Sequence, residues 1–212
     1  MLKYSFLSGK QKSYDNIQLL DIILHSSEVM ANLVNDLLEV IDCEQQQTGM
    51  TFRMISLPLL LDKVHAAFRS EARRLGVLLD FEVAPGVPQL MQGDSNRLIQ
   101  ILTHLLCNSF NATGRRNKDF GEHKGRITVT VSMEANSHDM VLFQVTDNGC
   151  GIGEEEQTLL FVPFYHENSM HFNTNDAPGY GVGLYLCKSL VTTMGYVNYS
   201  IICCVSISWE CV

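Results

Sequence analysis

The spacing of apolar positions near the start of the chain predicts a long helix. Residues 14–43 contain neither proline nor glycine, and apolar or small side chains recur there at alternating steps of three and four. These positions are Ile17, Leu20, Leu24, Ser27, Ala31, Val34, Leu38 and Ile41. Such a heptad seam is typical of a helix that packs against other helices. A second apolar flank (Ile23, Met30, Leu33 and Leu37) favours a helical bundle over the alternative, a plain amphipathic helix on a globular domain.

After a polar, glutamine-rich connector at 44–50, the apolar pattern changes to that of a mixed domain. Alternating apolar and polar positions predict strands, and the last two of them are expected to form a hairpin. The predicted strands are 51–57, 77–83, 126–134 and 140–146. The segment 196–212 is apolar and cysteine-rich, but Asn198, several serines and Glu210 favour a strand over a membrane helix.

Helical patterns alternate with these strands. Pro58 begins a helix that runs to about Leu75 and is capped by Gly76, and Asp94 is a good N-cap for the next helix. A turn is expected at 85–88, a polar loop at 115–124, a short helix from Glu154 and a final helix at 181–194. Helices on one face of a mixed sheet predict the α+β class, as a two-layer α/β sandwich preceded by the long N-terminal helix.

Composition narrows the class of protein. The hydrophobic fraction of 46% and charged fraction of 18% are ordinary for a globular chain. A formal net charge of -8 argues against a nucleic-acid binder. The seven cysteines are odd in number and form no C-x-x-C pair, so buried, reduced thiols are expected. No apolar run is long enough for a membrane helix, so we expect a cytoplasmic location, with any membrane anchor in a longer parent chain.

A polar stripe lies on the helix that follows Asp94. His104, Asn108 and Asn111 fall on one helix face, at spacings of four and three, among otherwise apolar positions. Polar groups on a largely buried stripe need partners. Taken alone, the stripe is better explained by a buried asparagine that forms a helix-to-strand hydrogen bond, so it does not establish a binding site.

Two glycine-rich turns follow. In the first, Asp147 ends a strand and leads into Gly149 and Gly151, which permit a tight turn and close approach of a ligand. By itself this could be an ordinary turn, and it has too few evenly spaced oxygens for a calcium loop. The second turn, 179–184, opens a helix and presents free N–H groups to an anion. No strand leads directly into it, so the context of a dinucleotide-binding fold is missing.

In this order and spacing, the three segments resemble the N box and the two glycine boxes of the GHKL superfamily, specifically its histidine kinases. The segment 161–164 (Phe-Val-Pro-Phe) is similar to the F box of that family, and 26–42 resembles the second helix of its dimerisation domain. The resemblance runs from about Ile17 to Gly195. It implies a Bergerat-type ATP-binding fold, with a partial dimerisation segment at 1–45 and a catalytic domain at 46–212.

The resemblance also implies roles for individual residues. Asn108 would coordinate the Mg²⁺ that bridges the ATP phosphates, and Asp147 would accept a hydrogen bond from the adenine amino group. Segment 165–180 would be a lid over the nucleotide. Asn108 and His104 are the candidate catalytic residues. The remaining nucleotide-binding candidates are Asn111, Gly149, Gly151, Ile152, Gly179, Tyr180, Gly181, Val182, Gly183 and Leu184.

Several positions depart from the family pattern. His104 stands where ATP-hydrolysing relatives carry a glutamate, which disfavours efficient hydrolysis, although a hydrogen-bonded core histidine is an equal alternative. Asn111 replaces a lysine of many relatives. No phosphoacceptor box is present, and His25 lacks the acidic and proline neighbours of one. Past Gly195 the expected second glycine and last strand are absent, which suggests a truncated, mis-spliced or divergent end.

The leading hypothesis is a protein-histidine kinase module of a two-component phosphorelay, with ATP and Mg²⁺ as cofactors. Transfer would occur in trans, or the chain would be a fragment of a longer kinase. The implied partners are the histidine-bearing dimerisation domain of another kinase and a response-regulator receiver domain. The alternative is a non-catalytic nucleotide-binding or interaction module. A clamp-type ATPase is a third, weaker possibility, because His104 replaces the glutamate.

Overall fold

A computed structural model describes part of the N-terminal segment and most of the remaining chain. The described positions are 19, 20, 23, 24, 26, 27, 30, 31, 34–38, 41, 53–120, 124–133, 140–165, 181–194 and 203–205. Every described position between 19 and 41 is helical. The positions between them, including His25, lie outside the described residues, so the single long N-terminal helix stays a prediction.

The described elements are six strands and, after the N-terminal segment, four helices. The strands are β1 (Arg53–Ser56), β2 (Leu78–Val83), β3 (Leu90–Gly93), β4 (Arg126–Met133), β5 (Val141–Asp147) and β6 (Cys203–Val205). The helices that follow the N-terminal segment are α1 (Leu57–Leu75), α2 (Ser95–Phe120), α3 (Glu154–Gln157) and α4 (Gly183–Thr193).

The main sheet is mixed and has the order β2-β4-β5-β6. Strands β2 and β4 are parallel, β4 and β5 antiparallel, and β5 and β6 parallel. The antiparallel pairing of β4 with β5 confirms the predicted strand pair, whereas its turn at 134–139 lies outside the described residues. A second sheet consists of β1 paired antiparallel with β3.

The core lies between the main sheet and the helices. Because side chains alternate along a strand, Ile127, Val129 and Val131 of β4 share one face, and all three are fully buried. Leu102 and Leu106 of α2 are fully buried within the same hydrophobic core. The other face of β4 carries Arg126, Thr128 and Thr130, which keep contact with water. The predicted α+β two-layer sandwich is confirmed.

Two predicted helix boundaries are supported by their capping contacts. Gly76 has a positive φ of 65°, and its N–H donates to the carbonyls of Ala72 and Arg73. Only glycine adopts this conformation readily, so it ends α1. The Asp94 carboxylate accepts from the N–H groups of Asn96 and Arg97 at 3.1 and 3.3 Å, as an N-cap does.

Three sequence predictions need correction. The polar loop expected at 115–124 is wrong for 115–120, because α2 continues to Phe120. The segment 115–120 contains no proline, so its residues can continue the helix. A polar composition does not distinguish a solvated helix from a loop. Strand β3 was missed, because Leu90 and Met91 are adjacent apolar residues and the strand shows no alternation. The last helix begins at Gly183 rather than 181, because Gly181 has a φ of 67° that a helix cannot use.

The expectation of buried thiols is only partly right among the described side chains. Cys187 of α4 is buried, whereas Cys107 and Cys150 are exposed. Cys107 occupies an exposed face of α2, and Cys150 lies in the turn after β5, which leaves the sheet. Apolar neighbours in the sequence therefore did not predict the burial of Cys107 and Cys150, because a helix face and a turn place these side chains at the surface.

Candidate functional site

The candidate site is built around Asp147, the last residue of β5. Alternation along β5 places Asp147 on the same face as the core residue Val145, and its partner across the ladder is Ile127. Only 7% of Asp147 is exposed. The carboxylate accepts from the Gly149 N–H at 2.9 Å and from the Ser109 hydroxyl of α2. Burial raises the pKa of Asp147, and these two hydrogen bonds oppose the rise.

The turn after Asp147 lies directly against α2. A Cβ added at Gly149 would lie 2.7 Å from both the carbonyl carbon and the Cβ of Ala112. The Cys150 N–H donates to the Ala112 carbonyl at 3.3 Å. Helix α2 and the first glycine turn are therefore in backbone contact, and glycine is required at 149 for that approach.

Asn148 connects the same turn to the start of β4. Its Oδ1 accepts from the Arg126 N–H at 2.7 Å, and its Nδ2 donates to the Lys124 carbonyl at 3.2 Å. These bonds fix the turn while the Asp147 side chain faces α2. Sequence reasoning missed Asn148, although an amide between Asp147 and Gly149 was a signal for a side chain that bonds nearby backbone.

The rest of the turn leaves the sheet. Gly151 has a φ of 76°, and a Cβ there would meet nothing within 4 Å. Ile152 is half-buried, and its carbonyl accepts from the Gln157 side chain at 3.2 Å. Gly151 thus allows the chain to reverse, and Ile152 leads into α3.

The second glycine turn contacts different parts of the domain. The Gly181 carbonyl accepts from the Phe164 N–H at 3.0 Å, and a Cβ at Gly181 would overlap the Tyr165 carbonyl oxygen. Val182 is buried, and Gly183 begins α4, so the free N–H groups of that helix start here. Leu184 packs partly buried against the core. Gly179 and Tyr180 lie outside the described residues, as does the predicted lid from 166 onward.

Helix α2 links the two turns. Ala112 touches the first turn at Gly149, whereas His104 lies 3.1 Å from the position of a Cβ at Gly183 in the second. These contacts are two helical turns apart, or about 12 Å along the axis. Asn108 lies halfway between them and is exposed, as is Asn111 one turn further. The first glycine turn therefore meets α2 at Ala112 and the second meets it at His104, and Asn108 lies between these two contacts along the helix.

His104 itself is largely buried and has a charged neighbour. Its Nε2 lies 3.8 Å from the Asp36 Oδ1 of the N-terminal segment, and 19% of the histidine side chain is exposed. Burial lowers the pKa of His104, and the Asp36 carboxylate opposes this. Sequence reasoning missed Asp36, Ser109 and Ala112, because nothing in their spacing shows which face of α2 each one meets.

Comparison with known proteins accounts for this arrangement. The histidine kinase-, DNA gyrase B- and HSP90-like ATPase family matches residues 93–207, which is more than half of the chain and includes all three segments. The chain belongs to this family. Within it, the histidine-kinase resemblance seen in the motifs is supported by relatives in two-component systems.

Two relatives illustrate the similarity. Two-component system protein A of Emericella nidulans is 29% identical over 201 residues, which cover 94% of this chain and 28% of that protein. Hybrid signal transduction histidine kinase L of Dictyostelium discoideum is 30% identical over 174 residues, which cover 81% of this chain and 10% of that protein. The chain thus spans less than a third of either relative. It is a histidine kinase-like ATPase domain of the kind found in two-component sensor kinases.

Solved structures support the fold. The histidine kinase AdeS of Acinetobacter baumannii aligns with a TM-score of 0.60 at 20% identity, covering 80% of this chain and 70% of that one. Full-length ShkA, solved in complex with AMPPNP, aligns with a TM-score of 0.63 at 23% identity, covering 78% of this chain and 31% of that one.

In the part of the chain that the structure describes, no helix is both long and apolar enough to cross a bilayer.

Proposed function

We propose that the chain is an ATP-dependent protein-histidine kinase module of a two-component phosphorelay. It transfers the γ-phosphoryl group of ATP to a histidine outside these 212 residues, carried by the dimerisation domain of a partner kinase. A response-regulator receiver domain is the next acceptor. Residues 46–212 form the catalytic domain in this proposal, and residues 1–45 contribute one helix of a dimerisation domain.

The observation that carries the proposal is the buried carboxylate of Asp147. Burying a charged group costs free energy, so an incompletely compensated buried carboxylate is a candidate functional group. Asp147 is buried, and two hydrogen bonds hold its carboxylate in place. A fixed acceptor at the end of a strand suits the exocyclic amino group of adenine. GTP presents a carbonyl at that position, which a carboxylate would repel.

The phosphates would lie toward Asn108 and the second glycine turn. Free N–H groups at the start of α4 and the positive end of its dipole favour an anion there. Asn108 is exposed on α2, and its amide oxygen is a hard ligand that fits Mg²⁺. When bound, the metal would neutralise charge on the phosphate oxygens. Asn111 would add a neutral hydrogen-bonding group to the same side of the pocket.

His104 is consistent with phosphoryl transfer rather than hydrolysis. Burial lowers its pKa, so the imidazole is neutral at pH 7, and it lies against both Asp36 and Gly183. No carboxylate stands at this position of α2 to activate water. A neutral acceptor imidazole is nucleophilic without a strong base, so transfer depends mainly on positioning.

Calorimetric titration with MgATP tests the nucleotide site. Asp147→Ala should abolish detectable binding. Asp80→Ala should not, because Asp80 is none of the candidate nucleotide-binding residues and its carboxylate pairs with the exposed Arg126 side chain at 3.1 Å. Both substitutions remove one carboxylate, so the comparison separates the site from net charge. Failure of the folded wild-type chain to bind MgATP would overturn the proposal.

Labelled ATP then tests the kinase activity. With γ-³²P-ATP and a separately supplied dimerisation domain from a relative, acid-labile label on that domain is the expected product. Asn108→Ala should remove it. If the chain binds the nucleotide but no label is transferred from ATP, the alternative is favoured, which is a non-catalytic nucleotide-binding or interaction module.

That second candidate rests on the N-terminal segment. Eight of its described apolar side chains are between 46% and 66% exposed: Leu19, Leu20, Ile23, Leu24, Met30, Val34, Leu38 and Ile41. Such a surface suits a partner helix. Capture of a kinase dimerisation domain with equal yield in the presence and absence of ATP would support an interaction role.

A further inference from the structure

A contact joins the N-terminal segment to His104 of the candidate site. The His104 Nε2 and the Asp36 Oδ1 are 3.8 Å apart, an ion-pair distance, and the Asp36 side chain is 27% exposed. These residues are far apart in sequence, so the contact fixes a tertiary relationship.

The opposite edge of the same ring faces the second glycine turn. The position of a Cβ at Gly183 lies 3.1 Å from the His104 Nδ1 and 3.6 Å from the His104 Cγ. Since α4 begins at Gly183, any rotation of the ring moves the surface against which the first residue of that helix rests. The imidazole therefore stands between Asp36 and the start of α4.

The surrounding charges favour one state of the ring. Burial lowers the pKa of His104, and burial raises the pKa of Asp36, while each opposes the shift of the other. Asp36 also acts on Cys107 of α2. Desolvation of the thiol group raises the pKa of Cys107, although the residue as a whole is exposed, and Glu71 of α1 and Asp36 add to the rise. A neutral ring beside a carboxylate favours the tautomer with its proton on Nε2. Nδ1 is then unprotonated on the Gly183 side.

We propose that Asp36 is a positioning residue that orients the His104 ring and, through it, the glycine turn at Gly183. The N-terminal segment and the start of α4 are thereby coupled through one imidazole. Only the consequence for phosphate binding rests on the proposed function. The orientation of the ring and its effect on Gly183 do not.

Nuclear magnetic resonance of the nucleotide-free chain tests the positioning directly. The ring signals of His104 are assigned by their loss in His104→Asn. In Asp36→Asn, the pKa of His104 should fall, because an attractive anion has been removed, and the ¹⁵N shifts should show a more even tautomer mixture. Asp36→Glu should restore both. Asp80→Asn, which removes an equal charge at the Arg126 pair, should leave both unchanged.

The Gly183 amide reports whether the effect passes through the ring. Its signal should move in Asp36→Asn, and the same substitution should move it far less in a His104→Asn background. An unchanged His104 ring in Asp36→Asn would overturn the proposal. So would a Gly183 response of equal size without the imidazole, because Asp36 would then act by another route.

Nucleotide affinity extends the test. The Kd for MgATP should rise about two- to fivefold in Asp36→Asn, which is the size of effect expected when one partly exposed electrostatic contact is lost, and Asp36→Glu should reverse it. An affinity that stays constant while the ring and Gly183 respond would overturn the coupling to the pocket. Absence of MgATP binding in the wild type would instead contradict the proposed function, and the magnetic resonance result would still decide the role of Asp36.

Discussion

Gly149 and Ala112 are in direct contact, with no space for a side chain on the glycine. A Cβ at Gly149 would lie 2.7 Å from the Ala112 carbonyl carbon and 2.8 Å from the Asp147 Oδ1. Helix α2 and the turn after β5 are therefore in backbone contact, and no side-chain atom fits between them at Gly149. The position of Asp147 depends on this contact, because the Gly149 N–H holds its carboxylate.

Gly149→Ala should consequently destabilise the domain. The added methyl group meets backbone, which cannot rotate away, so we expect a loss of about 1–3 kcal/mol in the free energy of unfolding. Urea denaturation followed by circular dichroism measures it. Gly114→Ala, on the same helix α2, is the matched control. A Cβ there meets nothing within 4 Å, so that variant should gain about 0.5–1 kcal/mol from helix propensity. Equal stabilities of the two variants would contradict the close contact.

Gly181→Ala should be more damaging than Gly151→Ala. Both glycines have a positive φ, of 67° and 76°, which alone costs an alanine about 1 kcal/mol. A Cβ at Gly181 would also overlap the Tyr165 carbonyl, whereas one at Gly151 meets nothing within 4 Å. Thermal unfolding of both variants should therefore show the lower midpoint for Gly181→Ala. The reverse order would show that strain at φ, rather than the contact with Tyr165, decides.

Asn148→Ala should loosen the turn from the sheet. It removes the bonds to the Arg126 N–H and the Lys124 carbonyl, at 2.7 and 3.2 Å. Each such bond contributes about 0.5–1.5 kcal/mol, so a total loss of about 1–3 kcal/mol is expected. Asn148→Asp keeps the acceptor for Arg126 and should lose less. Amide hydrogen exchange at Arg126 distinguishes the two, and unaltered protection in Asn148→Ala would rule out the anchoring role.

Asp147→Asn should stabilise the nucleotide-free domain near neutral pH. Burial raises the pKa of Asp147 above its usual 3.8, so the folded state binds a proton more readily than the unfolded state does. The free energy of unfolding therefore declines as pH rises from about 3.8 through the raised pKa, and the loss is complete above it. An asparagine keeps an acceptor for Gly149 and Ser109 without the charge.

The measurement for this variant is chemical denaturation between pH 4 and pH 8. We expect a gain of about 0.5–2 kcal/mol at pH 7, the range of substitutions that relieve a local penalty, and a flatter pH dependence. MgATP affinity should fall at the same time. A destabilised Asp147→Asn at pH 7 would mean that the two hydrogen bonds outweigh the burial of the charge.

The sequence predicted the sheet-and-helix frame because its signals are local. Alternation predicted β4 and β5, and Pro58, Gly76 and Asp94 marked helix ends whose capping geometry depends on one or two residues. The extension of α2 past 114 gave no such signal, because a solvated helix and a polar loop share the same composition.

The candidate site was predictable as a set of motifs but not as an arrangement. The glycine turns pointed to Asp147 and Gly183, yet the sequence could not show that Ala112 and His104 of one helix meet one turn each. The contact between Asp36 and His104 joins distant parts of the chain and depends on how the N-terminal segment lies against α2. Tertiary packing alone determines such pairs.

Strand β6 supports the site from its other side. Asp147 pairs with Ile127 of β4 on one edge of β5 and with Val205 of β6 on the other. Every other described element precedes β6 in the chain. During synthesis on the ribosome, the strand that ends in Asp147 thus stays an open edge until residues 203–205 emerge. The edge of the sheet beside Asp147 is therefore completed late in the synthesis of the domain.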